Sequence, residues 1–125
     1  MIVLKFGGTS VGSVKAIQQV FEIVQKQSKE NKLVVVVSAM GGTTDVLINA
    51  GNYAAHGDET YKDLIKQIET RHLDTVKELV PVQTQSSALS LVKKLCNEIE
   101  DLCNGIFLLG ELSARTKDKL VSYGE

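Results

Sequence analysis

The residues best suited to chemistry follow the first apolar run of the chain: a lysine, a glycine pair and two hydroxyls, in the string Lys5-Phe6-Gly7-Gly8-Thr9-Ser10. Adjacent glycines cost backbone entropy on folding, and a lysine is expensive to enclose, so stability alone does not explain the string. An anion does. Glycines let backbone N–H groups approach phosphate oxygens, a following helix directs its positive N-terminus to the same place, and the lysine adds a mobile charge. The alternative is that the string forms an ordinary strand-to-helix turn. It matches neither a Walker P-loop nor a dinucleotide fingerprint.

The elements that must position this turn alternate between strand and helix. Residues 2–5 are expected to form a strand. A helix beginning near Gly12-Ser13 is predicted because apolar residues recur at positions 14, 17, 20, 21 and 24. Leu33 to Val37 is an uninterrupted apolar run, typical of a parallel strand that is buried on both faces. The β-α-β order implies a right-handed crossover with helices on the sheet faces.

The second half of the sequence is predicted to be helical. One helix is expected over residues 44–55 and another over 61–79, which Pro81 ends. A further helix carries apolar residues between positions 88 and 102, and the short link between the two long helices predicts an antiparallel hairpin. Residues 105–110 form an apolar turn or loop that the pattern does not assign. A last helix is expected over about 113–123, capped by Ser113 or Thr116.

Composition narrows the classes of function. A chain of 125 residues is one domain at most, and a net charge of -1 gives no electrostatic case for binding nucleic acid or an anionic membrane. No apolar stretch approaches the ~20 residues of a membrane span, and Lys5 interrupts the apolar start that a signal peptide needs. We therefore expect a cytoplasmic protein. The sequence supplies two strands and no further strands to complete a sheet, which suggests that it is the front part of a longer protein.

Other reactive side chains are expected to be structural. Cys96 and Cys103 lie seven residues apart on one predicted helix, on the same face but too distant for a disulfide, so we expect reduced core thiols. His56 and His72 lack the spacing of metal ligands, and no metal site is predicted from them. The acidic residues Glu98, Glu100 and Asp101 are expected on a solvated helix face.

The sequence resembles a known family in three places, in the order that the family has them. The opening string Lys5 to Ser10 looks like the signature of aspartate kinases in the amino acid kinase superfamily. Val36 to Asp45 resembles the family's second strand and its Ser-Ala-x-x-x-x-Thr-Asn/Asp loop. Leu120 to Glu125 is similar to the family's Ser-x-Gly-Glu helix. The stretch Gly105 to Arg115 also looks like the bifunctional aspartate kinase–homoserine dehydrogenases, so both monofunctional and bifunctional relatives stay open.

The resemblance implies a fold and an activity. The fold is the N-terminal part of an α/β amino acid kinase fold, a three-layer αβα architecture with a mostly parallel sheet and an inserted helical hairpin. Residues 1–125 would be the N-terminal portion of the catalytic domain. The activity is transfer of phosphate from ATP, with Mg²⁺, to the β-carboxylate of L-aspartate, the first step towards lysine, threonine and methionine. A homo-oligomer is expected.

The resemblance also implies roles for particular residues. Lys5 is placed at the transferring phosphate as the catalytic residue, and Gly7, Gly8 and Thr9 line the phosphate channel. Ser38, Thr44 and Glu125 match the aspartate-binding positions, with Glu125 meeting the substrate's α-ammonium group. Without the resemblance, Ser38 and Thr44 are equally well explained as helix caps.

Residues 1–125 lack several elements that the family's active site needs. The residues that meet the nucleotide base, Mg²⁺ and much of the substrate pocket lie further along the chain in the family, so residues 1–125 alone are expected to be inactive. Two alternatives stay open: another kinase of the superfamily, acting on glutamate, carbamate or a nucleotide, and a non-catalytic binding module.

Overall fold

A computed structural model describes all residues, Met1–Glu125, and the chain divides into two compact units. The first unit comprises residues Met1–Gly42 together with Gly124–Glu125. The second comprises Thr43–Tyr123.

The first unit is a β-α-β arrangement, as the sequence predicts. Strand β1 (Ile2–Phe6) pairs in parallel with strand β2 (Leu33–Val37), and helix α1 (Val14–Ser28) connects them. The helix begins where predicted because the Ser13 hydroxyl accepts a hydrogen bond from the Ala16 N–H at 3.2 Å. The register pairs Ile2 with Leu33 and Phe6 with Val37, so both strands end at the same edge of the sheet.

The prediction that β2 is buried on both faces is wrong for these residues. The side chains of Val34 to Val37 are 41–50% exposed, and Val3 on β1 is 60% exposed. A two-stranded sheet with one connecting helix cannot cover two faces and two edges, whatever the hydrophobicity of its strands. The run of valines therefore keeps a large apolar surface that the described residues do not cover.

The second unit consists of helices. Its elements are α2 (Thr43–Ala55), α3 (Tyr61–Leu79), a single 3₁₀ turn (Val82–Thr84), α4 (Gln85–Leu109) and α5 (Ala114–Ser122). The predicted hairpin is confirmed: α3 and α4 pack antiparallel, with Tyr61 beside Asn104 at one end and Glu69 beside Lys93 further along. Ser113 caps α5 by accepting a hydrogen bond from the Thr116 N–H.

The unassigned stretch at residues 105–110 is mostly helix. Helix α4 continues through Leu109 and ends at Gly110, whose φ of +68° is the left-handed conformation that favours glycine at a helix end. Gly105 lies inside the helix, and its neighbour Ile106 is only 2% exposed. The helix persists through Gly105 because Cys103 and Ile106, on either side of it, are buried in the core, which outweighs the low helix propensity of one glycine.

Helices α2 to α5 share one apolar core, and both cysteines lie in it or beside it. Its buried members are Leu47, Ala50, Ala54, Tyr61, Ile65, Ile68, Ile99, Cys103, Ile106 and Leu120. Cys96 and Cys103 are unpaired and buried, as predicted. Burial raises the pKa of the Cys103 thiol to about 11, so this thiol is protonated at neutral pH and chemically inert.

The expectation of a fully solvated acidic face on α4 needs one correction. Glu100 and Asp101 are exposed, but Glu98 is half-buried. Burial, and then the charge of Glu98, raise the pKa of the Tyr123 hydroxyl.

One buried hydroxyl lacks a partner. Thr43, the first residue of α2, is 2% exposed, and its Oγ1 makes no hydrogen bond. An unsatisfied buried polar group costs about 1–3 kcal/mol.

Thr43→Val keeps the shape of the side chain and removes the hydroxyl, so we expect it to raise the free energy of unfolding by about 1 kcal/mol. Urea unfolding measures the difference, with Thr70→Val on the exposed surface of α3 as the matched control. Equal effects of the two substitutions would contradict the assignment.

Candidate functional site

The candidate site lies in the first unit, where both parallel strands end. Phe6 and Val37 are register partners, and the Ser38 N–H donates to the Phe6 carbonyl at 3.1 Å. The two loops that follow, residues 7–13 and 38–42, therefore start side by side. Carboxyl ends of parallel strands are where open α/β sheets bind ligands.

The first loop has two backbone donors without acceptors. The Gly7 carbonyl accepts from the N–H groups of Ser10 and Val11, at 3.0 and 3.3 Å. The N–H groups of Gly8 and Thr9 make no hydrogen bond within the chain. Gly7 and Thr9 are exposed and Gly8 is half-buried, so an anion can reach this stretch of backbone. Successive free N–H groups in a turn are a recognised anion-binding arrangement.

The direction of one of these donors is fixed by the second loop. The Gly8 carbonyl accepts a hydrogen bond from the Gly41 N–H at 2.9 Å. The carbonyl of Gly8 and the N–H of Thr9 belong to the same planar trans peptide, so they point in opposite directions. Holding the carbonyl towards Gly41 therefore turns the Thr9 N–H away from Gly41.

Lys5 supplies a cation on β1, one residue before the strand ends. It is paired in register with Val36 and is exposed. Because side chains alternate along a strand, Lys5 shares a sheet face with Val3 and not with Phe6. The charge thus stands in solvent on an otherwise apolar face, where it can reach an anion at the strand end.

The other predicted site residues are placed as follows. Ser38 is half-buried at the end of β2, and its hydroxyl donates to the Ala39 carbonyl at 2.9 Å, which leaves its oxygen free to accept. Thr44 is exposed in the first turn of α2 and belongs to the second unit. Glu125 is exposed and belongs to the first unit. The structure therefore brings Lys5, Gly7, Gly8, Thr9 and Ser38 to one edge of the sheet.

Sequence reasoning missed two residues of this region. A Cβ added at Gly41 would lie 2.9 Å from the Gly8 carbonyl oxygen, and one added at Gly12 would lie 2.9 Å from the same atom. Both positions therefore require glycine for a steric reason. The adjacent glycines Gly41 and Gly42 could have drawn attention to this loop, but the sequence does not indicate which atom Gly41 approaches.

Each histidine contacts a backbone carbonyl of the helix that it belongs to or directly follows. His56 and His72 each place Nδ1 2.7 Å from the backbone carbonyl four residues earlier, those of Asn52 and Ile68. Both lie in the second unit. In addition, none of the helices combines the length and the apolar character that crossing a membrane requires.

Comparison with known proteins places the chain in a family. The model of the amino acid kinase family matches residues 1–122. The chain belongs to the amino acid kinase family. The α/β fold class predicted from the sequence is confirmed.

The resemblance to aspartate kinases is confirmed by relatives in sequence. The chain is 36% identical to the chloroplastic aspartokinase 1 of Arabidopsis thaliana over 126 residues, which is 98% of this chain and 21% of the relative. It is 32% identical to a chloroplastic bifunctional aspartokinase/homoserine dehydrogenase 1 of Zea mays, covering 97% of this chain and 13% of the relative. The chain thus spans about a fifth or less of these two relatives. Monofunctional and bifunctional proteins both occur among them.

Solved structures agree with the sequence relatives. Aspartokinase III of E. coli, in complex with lysine and aspartate, superposes with a TM-score of 0.82 at 28% identity, over 100% of this chain and 26% of the other. The same enzyme in complex with aspartate and ADP gives a TM-score of 0.82 at 26% identity, over the same shares of both chains.

The free N–H groups generate a prediction about anions. In a titration of the protein with pyrophosphate followed by NMR, the amide signals of Gly8 and Thr9 should shift most. The amides of Ser10 and Val11 are an internal control, because both already donate to the Gly7 carbonyl. Equal shifts at all four amides, or none, would contradict an anion site at this turn.

Proposed function

We propose that the protein containing this chain phosphorylates the β-carboxylate of L-aspartate with ATP. The observation that carries the proposal is the pair of unpartnered N–H groups, at Gly8 and Thr9, beside the strand that holds Lys5. Support also comes from relatives named aspartokinases, one of which was solved with aspartate and ADP. The chemistry is phosphoryl transfer between two anions, so catalysis depends on alignment and charge neutralisation.

In the proposed reaction no proton needs to move. A β-carboxylate oxygen of aspartate forms a bond to the γ-phosphorus of ATP as the bond from that phosphorus to the β,γ-bridging oxygen breaks. The products are 4-phospho-L-aspartate and ADP. The N–H groups of Gly8 and Thr9 donate to the oxygens of the transferring phosphate, and Lys5 offsets the charge that builds up there.

The roles of the aspartate-binding residues follow from the family resemblance. Ser38 and Thr44 supply hydroxyl hydrogen bonds to the substrate, and Glu125 pairs with its α-ammonium group. The half-buried Ser38 and the exposed Glu125 carry chemical groups suited to these roles. The free lone pairs of the Ser38 oxygen can accept a hydrogen bond from a substrate N–H.

The chain carries groups that fit the phosphates of ATP but no cluster of metal ligands. The free N–H groups and Lys5 fit the phosphate end of ATP. The described residues contain no group of three His, Cys, Asp or Glu side chains able to hold a metal ion. Mg²⁺ therefore enters the proposal through the resemblance alone, and no step is assigned to it.

We further propose that residues 1–125 are the N-terminal portion of a catalytic domain and are inactive alone. The 41–50% exposure of Val34 to Val37 supports this, because such strands are normally covered on both faces. Assembly into a homo-oligomer stays a prediction, and so does the expectation that the protein binds neither nucleic acid nor membrane. The cytoplasmic location also stays a prediction, since the two plant relatives above are named chloroplastic.

Replacing Lys5 tests the phosphate site. Lys5→Ala in the full-length protein should lower turnover by on the order of 10²–10³, because it removes one electrostatic group from the transition state. The fold should persist, since Lys5 is exposed. Lys29→Ala, at an exposed lysine where α1 ends, is the matched control. Steady-state rates for Lys5→Ala within a few-fold of the control would refute the assignment.

Replacing Glu125 tests the choice of substrate. Glu125→Gln should raise the KM for aspartate by roughly tenfold or more, because a charge-assisted hydrogen bond is worth about 1.5–3 kcal/mol. The KM for ATP should change little. Glu111→Gln, at an exposed glutamate before α5, is the control. If both KM values rise equally, Glu125 has a structural role instead.

A further inference from the structure

Three glycines from two loops surround a single carbonyl group. Gly8 and Gly12 belong to the loop after β1, and Gly41 belongs to the loop after β2. The Gly41 N–H donates to the Gly8 oxygen at 2.9 Å. A Cβ on Gly41 would lie 2.9 Å from that oxygen and 3.3 Å from the Gly8 carbonyl carbon, and a Cβ on Gly12 would also lie 2.9 Å from the oxygen. We call Gly8, Gly12 and Gly41 the glycine clasp.

The clasp is rigid because every neighbour is backbone. A Cβ on Gly8 would in turn meet the Gly41 Cα at 3.1 Å and the Ala39 carbonyl oxygen at 3.4 Å. The tip of a flexible side chain could turn aside from such a contact, but backbone atoms can separate only if a whole loop moves. Gly7 and Gly42 have no atom within 4 Å of an added Cβ, so close packing is a property of the clasp and not of every glycine here.

We propose that Gly12 and Gly41 are positioning residues for the phosphate site. They hold the Gly8 carbonyl in place, and the peptide plane then fixes the direction of the Thr9 N–H. Neither residue needs to touch the substrate through a side chain. This inference rests on the proposed function, because it assigns the clasp to the alignment of the transferring phosphate.

The size of the effect follows from geometry. A methyl group at position 41 has to move from 2.9 Å to the 3.4–4 Å of ordinary contact, so one loop shifts by about half an ångström or more. A displacement of ~1 Å in a catalytic group can reduce a rate by about 10². We therefore expect Gly41→Ala to lower kcat by roughly tenfold to a hundredfold. The KM for ATP should change less, because the aligned N–H groups contribute most in the transition state.

The test uses the full-length protein with three glycine-to-alanine variants. Gly41→Ala and Gly12→Ala both place a methyl against the Gly8 oxygen, from different loops. Gly105→Ala is the matched control, since it lies in α4 with no atom within 4 Å of its added Cβ. Each variant is assayed for kcat, for the KM of ATP and for its melting temperature.

The inference predicts that kcat falls in both clasp variants, with melting temperatures within a few degrees of Gly105→Ala. A folded Gly41→Ala with kcat within threefold of the control would overturn it, as would a loss of rate that only follows the unfolded fraction. Failure of both clasp variants to fold would also overturn it, because the clasp would then serve folding. The proposed function fails separately, if the wild-type protein lacks aspartate-dependent ATP consumption.

Discussion

The close approach of two loop backbones is the constraint on which the candidate site depends. The hydrogen bond from Gly41 to the Gly8 carbonyl joins the turn after β1 to the turn after β2. Parallel pairing of β1 and β2 brings these turns together, since Phe6 and Val37 end the strands as register partners. A Cβ at position 8 or 41 would force the two turns apart, and a Cβ at position 12 would press against the Gly8 carbonyl oxygen. Strand pairing, loop packing and the direction of the free N–H groups are therefore one linked arrangement.

The two units bury their apolar residues to very different degrees. Helices α2 to α5 enclose a core in which residues such as Leu47, Cys103 and Leu120 are fully buried. The strands of the first unit leave their valines about half exposed. Burial of apolar surface is the main source of stability, so the second unit contains most of what stabilises these residues. The first unit contains the candidate phosphate site, and its strands stay partly exposed. The chain spans about a fifth of the length of its plant relative.

Much of the fold was predictable from periodicity and caps. The strand limits, α1, α2 and the α3–α4 hairpin follow from apolar spacing, Ser13 and Pro81, because these signals are local. The end of α4 was not predictable, since Gly105 argues locally against helix while tertiary packing of Ile106 maintains it. The apolar run of β2 by itself indicates burial on both faces, but its observed exposure follows from the small number of strands that the sequence supplies.

The candidate site was predictable in its residue types but not in its geometry. Lysine and paired glycines after a strand indicated an anion site, and Ser38 was placed correctly at the next strand end. The N–H groups of Gly8 and Thr9 stay free because of the hydrogen bonds that the loop makes, and the spacing of residues does not predict those bonds. The roles of Gly12 and Gly41 come from distances between backbones that are far apart in sequence.

The most direct test of the central claim is detection of the acyl phosphate itself. The full-length protein is incubated with ATP, Mg²⁺ and L-aspartate, and the product is trapped with hydroxylamine as aspartyl hydroxamate. The account predicts hydroxamate that requires both ATP and aspartate, and far less of it when glutamate replaces aspartate. Equal product with glutamate would indicate another kinase of the family, and no hydroxamate from a folded protein that binds ATP would contradict the account.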